Sequence, residues 1–126
     1  MRLLLDTNAL IWVLTAPHRL SPTAAEAIEA EANDVYVSSI SAWEIAMKRS
    51  HNRLEAPDDL DSQLDQKRFR RLPVEMRHAS AIEFLPHHHG DPFDRMLIAQ
   101  AQVEGLTIVT SDREMRRYQV ALLPAI

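Results

Sequence analysis

Four carboxylates recur where the chain passes from one apolar run to the next. Asp6 follows Leu3-Leu4-Leu5, Glu44 comes shortly after Val35-Tyr36-Val37, Asp94 opens a long apolar stretch, and Asp112 follows Leu106 to Val109. If those runs are strands of a parallel sheet, the acids collect beyond its carboxyl ends, where such sheets bind ligands. Four facing carboxylates repel, and some hold protons at neutral pH unless a cation joins them. Oxygen donors in a chain without cysteine suit a hard divalent ion, Mg²⁺ or Mn²⁺. Such ions keep several waters and take phosphate oxygens as further ligands, so a phosphate ester is the expected substrate.

Each acid also has a plainer use. Asp6 and Asp94 suit helix capping, Asp112 a turn or cap, and Glu44 an i,i+4 pair with Lys48. Joint placement after successive strands favours a common site. Asp91, three residues before Asp94, is a secondary candidate. Thr7, Asn8, Thr110 and Ser111 could orient carboxylates or bound waters, with capping as the alternative. The histidines at 87, 88 and 89 read as a solvated loop, because consecutive residues rarely converge on one ion. Trp12 and Trp43 stand among apolar helix positions and read as core.

The elements that must position these residues are well punctuated. Pro92 to Glu104 reads as a helix buried on several sides, with acids at its start and Gly105 as its left-handed stop. Residues 2–6 form a short central strand, followed by a helix that ends before Pro17. Ser21-Pro22-Thr23 opens a second helix running to about Ala32, with Ala24, Ile28 and Ala32 on one face. Val35 to Val37 is the next strand, and the serines after it cap a helix expected to turn Ile40, Trp43, Ala46 and Met47 inward. An exposed helix follows Pro57, from Asp58 to about Arg68, its face set by Leu60, Leu64 and Phe69. Leu72 to Val74 suggests an edge strand, since proline cannot donate to a ladder. Met76, Ala79, Ile82 and Leu85 suggest another helix, Leu106 to Val109 a strand buried on both faces, then a helical turn through Met115 and Tyr118, and a last strand at 120–123. Alternation of strands and helices argues for a doubly wound α/β domain spanning 1–126.

Composition narrows the function classes. With no cysteine there is neither a disulfide framework nor a thiolate zinc site. No apolar run reaches membrane-spanning length and nothing resembles a signal peptide, so the expected location is cytoplasmic, without a membrane partner. Fourteen Lys and Arg against 18 Asp and Glu give a net charge of −4, so local charge has to guide any nucleic acid. Lys67, Arg68, Arg70 and Arg71 form one basic cluster. Arg113, Arg116 and Arg117 form another.

The motifs L-L-L-D-T-N-A-L, S-A-W-E-I-A-M-K, D-P-F-D-R-M-L-I-A-Q-A and G-L-T-I-V-T-S-D, in that order, resemble the PIN domain family, in particular the VapC-type ribonuclease toxins of bacterial toxin-antitoxin pairs. The resemblance implies a PIN-like three-layer α/β/α fold with a mostly parallel sheet of four to five short strands. It implies Mg²⁺- or Mn²⁺-dependent endoribonuclease activity on RNA, tRNA or another structured RNA among the targets, a cognate antitoxin and a homodimer. Carried over residue by residue, the metal-binding acids are Asp6, Glu44, Asp94 and Asp112. The mechanism expected is in-line attack on a phosphodiester by metal-activated water, with Asp6, Asp94 and Asp112 as principal ligands and Glu44 as ligand or water-orienting base. Arg95, Arg113, Lys67 and Arg68 are candidate phosphate contacts, and the antitoxin is expected to place an arginine in or beside the acidic pocket.

Other classes fit less well. A phosphorylated receiver domain would present a lysine after a late strand, where this chain has Thr110-Ser111-Asp112. A haloacid-dehalogenase-like phosphatase would need an acid at Asn8. A housekeeping RNA-processing nuclease and a PIN-fold binding module without catalysis are the remaining alternatives.

Overall fold

The computed structural model describes residues 1–51 and 58–126; Pro57, expected to precede a helix, lies outside them. Strand β1 (Arg2–Leu5) leads into helix α1 (Thr7–Thr15), and a 3₁₀ turn at Pro17–Arg19 into α2 (Pro22–Glu29). Then come β2 (Asp34–Ser38), α3 (Ser39–Ser50), α4 (Leu60–Lys67), β3 (Arg70–Leu72), α5 (Met76–Ala81) and a 3₁₀ turn at Ile82–Phe84. Helix α6 (Pro92–Glu104), β4 (Thr107–Thr110), a 3₁₀ turn at Arg113–Arg117 and β5 (Ala121–Pro124) complete the described chain.

All strand pairings are parallel and the order is β3-β2-β1-β4-β5. The three leucines of β1 show why this strand is central. Leu3 and Leu5 enter one core with Ala9 and Leu10 of α1 and Ala24 of α2, while Leu4 enters the other with Leu97 and Ile98 of α6. Successive side chains point to opposite faces, so an unbroken apolar run is what a doubly covered strand requires. The result is the three-layer α/β/α arrangement expected, with five strands.

Helix α6 has the boundaries read from its ends. Asp91 Oδ1 accepts from the amides of Phe93 and Asp94, and Gly105 closes the helix at φ 69°. Its burial comes from Leu97, Ile98, Ala99 and Ala101, but also from Arg95 and Gln100. Gln100 accepts from Ser38 Oγ at 2.5 Å and donates to the Pro73 carbonyl at 3.3 Å, fastening α6 to the ends of β2 and β3.

Several local expectations are revised. Helix α2 stops at Glu29, so Ala32 sits exposed in the turn before β2. Edge strand β3 pairs two residues earlier than expected, at Arg70–Leu72, and Pro73 falls just beyond it, where no ladder amide is needed. Met76 is exposed and His78 takes the buried position of a shorter α5. In α3 the buried set is Ile40, Ser41, Glu44 and Ile45. Trp43 is 57% exposed, with its ring edge-on to Phe93, and Ala46 and Met47 face outward. Trp12 is only half-buried, under the Arg19 guanidinium. Helix α3 is turned by a polar contact: the Thr7 hydroxyl holds Glu44 inward beside Ile45, and Trp43, Ala46 and Met47 rotate to the surface.

Candidate metal and phosphoryl site

The order β3-β2-β1-β4-β5 reverses between β1 and β4, which is the switch point where a doubly wound sheet opens a crevice at its carboxyl edge. Asp6 leaves β1 and Thr110-Ser111-Asp112 leaves β4. A hydrogen bond from the Asp6 amide to the Val109 carbonyl, at 3.1 Å, ties the two exits together. A cavity of about 280 Å³ opens there, lined by Asp6, Glu44, Asp94 and Asp112, with Asp91, Thr7, Asn8 and Ser111. The remaining wall residue is Lys48.

Capping and site geometry turn out to be the same geometry. Asp6 Oδ1 accepts from the Ala9 amide at 2.8 Å and Asp112 Oδ1 from the Glu114 amide at 2.9 Å. Each bond fixes a carboxylate at a helix start, and the other oxygen of Asp112 turns toward Asp94 and His89. Asp91 caps α6, so Asp94 is left as a first-turn acid with no amide to satisfy. Glu44, only 7% exposed, is held at both oxygens: Thr7 Oγ1 donates to Oε1 at 2.7 Å and Lys48 Nζ to Oε2 at 2.8 Å. The Thr110 hydroxyl accepts from the Asp112 amide at 3.0 Å.

Electrostatics mark this cleft as short of positive charge. Burial raises Asp94 from 3.8 to about 8, helped by the charges of Asp91, Asp6, Asp112 and Glu44. Burial also raises Asp6 to about 6; hydrogen bonds from Thr110 and the Ala9 amide oppose the rise, and Asp112 and Glu44 add to it. The donors are carboxylate oxygens, the set that suits a hard divalent cation. With such an ion bound, these acids would titrate far lower.

His89, expected in a solvated loop, instead turns into the cleft. Its side chain is 12% exposed, and Nε2 faces Asp112 Oδ2 at 3.4 Å and Asp94 Oδ2 at 3.6 Å without closing a hydrogen bond to either. Nδ1 accepts from the Asp91 amide at 3.2 Å, so the ring proton belongs on Nε2, toward the carboxylates. The loop is carried by Tyr118, whose hydroxyl accepts from the His89 amide and from Arg95 Nη1, both at 3.2 Å. A histidine followed two residues later by Asp91 and the helix start was the available signal.

The candidate phosphate contacts separate. Arg95 is 8% exposed and donates to the carbonyls of Pro86 and Leu85 as well as to Tyr118, so its guanidinium holds the histidine loop from inside the fold. Lys67 and Arg68 line a cavity with Asp34 and Val35, at the amino end of β2 and so at the opposite edge of the sheet from the acids. Arg70 pairs with Asp34, and Arg71 with Asp61 and Asp65. Arg113 stands beside the acidic cleft, on the turn capped by Asp112.

A second group, Glu75, His78 and Glu104, lies at the far end of α6. His78 Nδ1 accepts from the Glu75 amide at 2.9 Å, which leaves its proton on Nε2, 3.5 Å from Glu104 Oε1. That tautomer presents no lone pair to a metal.

Residues 3–121 match the PIN domain family. The chain is 33% identical over 119 residues to ribonuclease VapC22 of Mycobacterium tuberculosis, covering 92% of this chain and 91% of the relative. Among solved structures, it resembles a chain of VapBC2 from Rickettsia felis bound to a promoter DNA fragment, with TM-score 0.71, 18% identity and full coverage of both chains. It also resembles a chain of DNA-bound VapBC from Salmonella typhimurium, with TM-score 0.71, 19% identity and coverage of 98% and 97%.

Proposed function

Since this chain belongs to the PIN domain family, in its VapC-like toxin ribonuclease branch, we propose that it is a metal-dependent endoribonuclease acting as the toxin of a toxin-antitoxin pair. The observation that carries the proposal is the convergence of Asp6, Glu44, Asp94 and Asp112 on one crevice at the β1/β4 switch point.

Asp6, Asp94 and Asp112 would hold Mg²⁺ or Mn²⁺, with Glu44 at the margin. When bound, the ion lowers the pKa of water and offsets charge on phosphoryl oxygens. The chain's own groups supply order. Glu44, fixed by Thr7 and Lys48, is an acceptor set to orient a nucleophilic water. Asp6 and Asp112 are immobilised by the amides they cap, which removes conformational freedom that substrate would otherwise have to quench. His89 presents a donor at the same rim, where phosphoryl oxygens would gather. No side chain is required as a nucleophile.

In this reading a cognate antitoxin silences the enzyme by placing an arginine at the acidic cleft, and the toxin works as a homodimer. Both parts follow from the family, and the net negative charge of the cleft supports the first.

The experiment is cleavage of a panel of tRNAs and structured RNAs by antitoxin-free protein in Mg²⁺ or Mn²⁺, beside chelator and Asp94→Asn. Metal-dependent cutting that disappears in the folded variant is expected. Cutting that survives chelator and the variant alike would remove the basis of the assignment.

A further inference from the structure

Beside the acidic cleft lies a second cavity, of about 390 Å³, that shares Ser111 and Asp112 with it. Its polar wall carries Arg113 and Arg116, and its other wall is formed by Leu122, Pro124 and Ile126. We propose that this cavity is a subsite for the RNA strand, with Arg113 and Arg116 binding a phosphodiester that flanks the one being cut. The inference rests on the nuclease reading and extends it to how the strand is held.

The turn at Arg113–Arg117 is 3₁₀, so residues three apart eclipse each other. Arg113 and Arg116 therefore project on one side. Met115, fully buried, and Tyr118, at the end of the turn, face the core, and Glu114 pairs with Arg117 three residues on. Among the described residues no carboxylate engages Arg113 or Arg116, whereas Arg117 is also drawn to the His88 carbonyl. Two exposed guanidiniums on one face of a turn, anchored by a buried methionine, form a preorganised fork for phosphate oxygens. Asp112 caps the same turn, so the cations and the acids of the cleft are fixed relative to one another.

The two walls suit a nucleotide rather than a bare anion. The guanidiniums meet the phosphate, and the Leu122 and Pro124 side offers an apolar surface to a ribose or base. Asp112 repels a phosphate that approaches too closely, which sets its position on the arginine side. Without such a subsite, a chain of net charge −4 with an acidic cleft has little electrostatic hold on RNA at this edge. An acidic protein segment could meet the same arginines, but it would gain nothing from continuity with a cleft that gathers phosphoryl oxygens.

The test is binding of labelled single-stranded polyuridylate and polyadenylate oligonucleotides to Asp94→Asn protein, measured by fluorescence anisotropy across a series of salt concentrations. Arg113→Gln with Arg116→Gln, added to that background, is expected to weaken binding about tenfold. It is also expected to lower the slope of log affinity against log salt by about 0.7 for each phosphate that is no longer neutralised. Arg113→Lys with Arg116→Lys keeps most of the slope. Lys67→Gln with Arg68→Gln, at the opposite edge, leaves slope and affinity in place. Equal slopes in the arginine-to-glutamine variant and its parent, an equal fall in the Lys67 and Arg68 variant, or no RNA binding by the parent, overturns the subsite. Failure of the nuclease reading looks different: the expected change in slope, with no metal-dependent cutting by wild type, leaves the subsite standing and removes the enzyme.

Discussion

Asp94→Asn should stabilise the metal-free protein at neutral and alkaline pH while removing its response to metal. Burial and neighbouring charges move the Asp94 carboxyl from 3.8 to about 8. The folded state therefore binds a proton that the unfolded chain has already released between about pH 4 and 8. Wild-type stability should fall as pH rises through that window and level off above about pH 8. About four units at 1.36 kcal/mol each set an upper bound of about 6 kcal/mol. The side chain is 21% exposed and water screens part of the repulsion, so about 2 to 3 kcal/mol is the expected effect at pH 8. Asparagine forfeits the interaction of a first-turn acid with the helix dipole, about 0.3 to 1 kcal/mol, leaving a net gain of about 2 kcal/mol. For this chain length that is a rise in melting temperature of roughly 6 to 10 °C. The assay is thermal and urea unfolding of both proteins in chelator from pH 5 to 9, repeated with Mg²⁺ or Mn²⁺. In chelator the variant's stability should change less with pH; a residual fall ending near pH 6 belongs to Asp6, which has the same sign. With metal the order reverses, because an ion at 100 times its Kd adds about 2.7 kcal/mol to wild type. A variant less stable than wild type at pH 8 in chelator, or one with an unchanged pH dependence, would refute the account of these acids as a repelling, cation-seeking group.

The other expectations concern the residues around that group. His89→Ala should leave the fold intact and slow metal-dependent cutting, with His89→Gln restoring part of the rate through its side-chain N–H; equal rates in all three proteins would place His89 outside the reaction. Arg95→Ala should cost about 2 to 4 kcal/mol in urea unfolding, since it strips a buried guanidinium from Pro86, Leu85 and Tyr118, and a cost below about 0.5 kcal/mol would contradict that role. Gly105→Ala should cost about 1 to 2 kcal/mol from the left-handed backbone alone, because beyond the local backbone the added methyl meets no atom within 4 Å; a neutral result would mean that the helix end relaxes.

The residues themselves determined the architecture and the acids. An unbroken Leu3-Leu4-Leu5 can be satisfied only by cover on both faces, and Pro92 and Gly105 bound a helix by their own backbone restrictions, so these local rules survive in the fold. That Asp6 and Asp112 meet was legible because strand ends in a parallel sheet share one edge, and Glu44 and Asp94 reach the same cavity from early positions in α3 and α6. Which other groups join that edge was decided by tertiary contacts. Glu44 is buried because Thr7, on a different helix, holds it there, and the same rotation puts Trp43 outside although its type argued for core. His89 enters the site because Tyr118, 29 residues away in the chain, supports its loop together with Arg95 of α6, and Arg95 is thereby withdrawn from any phosphate. Likewise Lys67 and Arg113 look alike as charges in a sequence, yet the strand direction sends one to the amino edge and the other to the acids. Backbone preferences and patterning act within a few residues; the partner of a buried polar group is fixed only when distant elements meet.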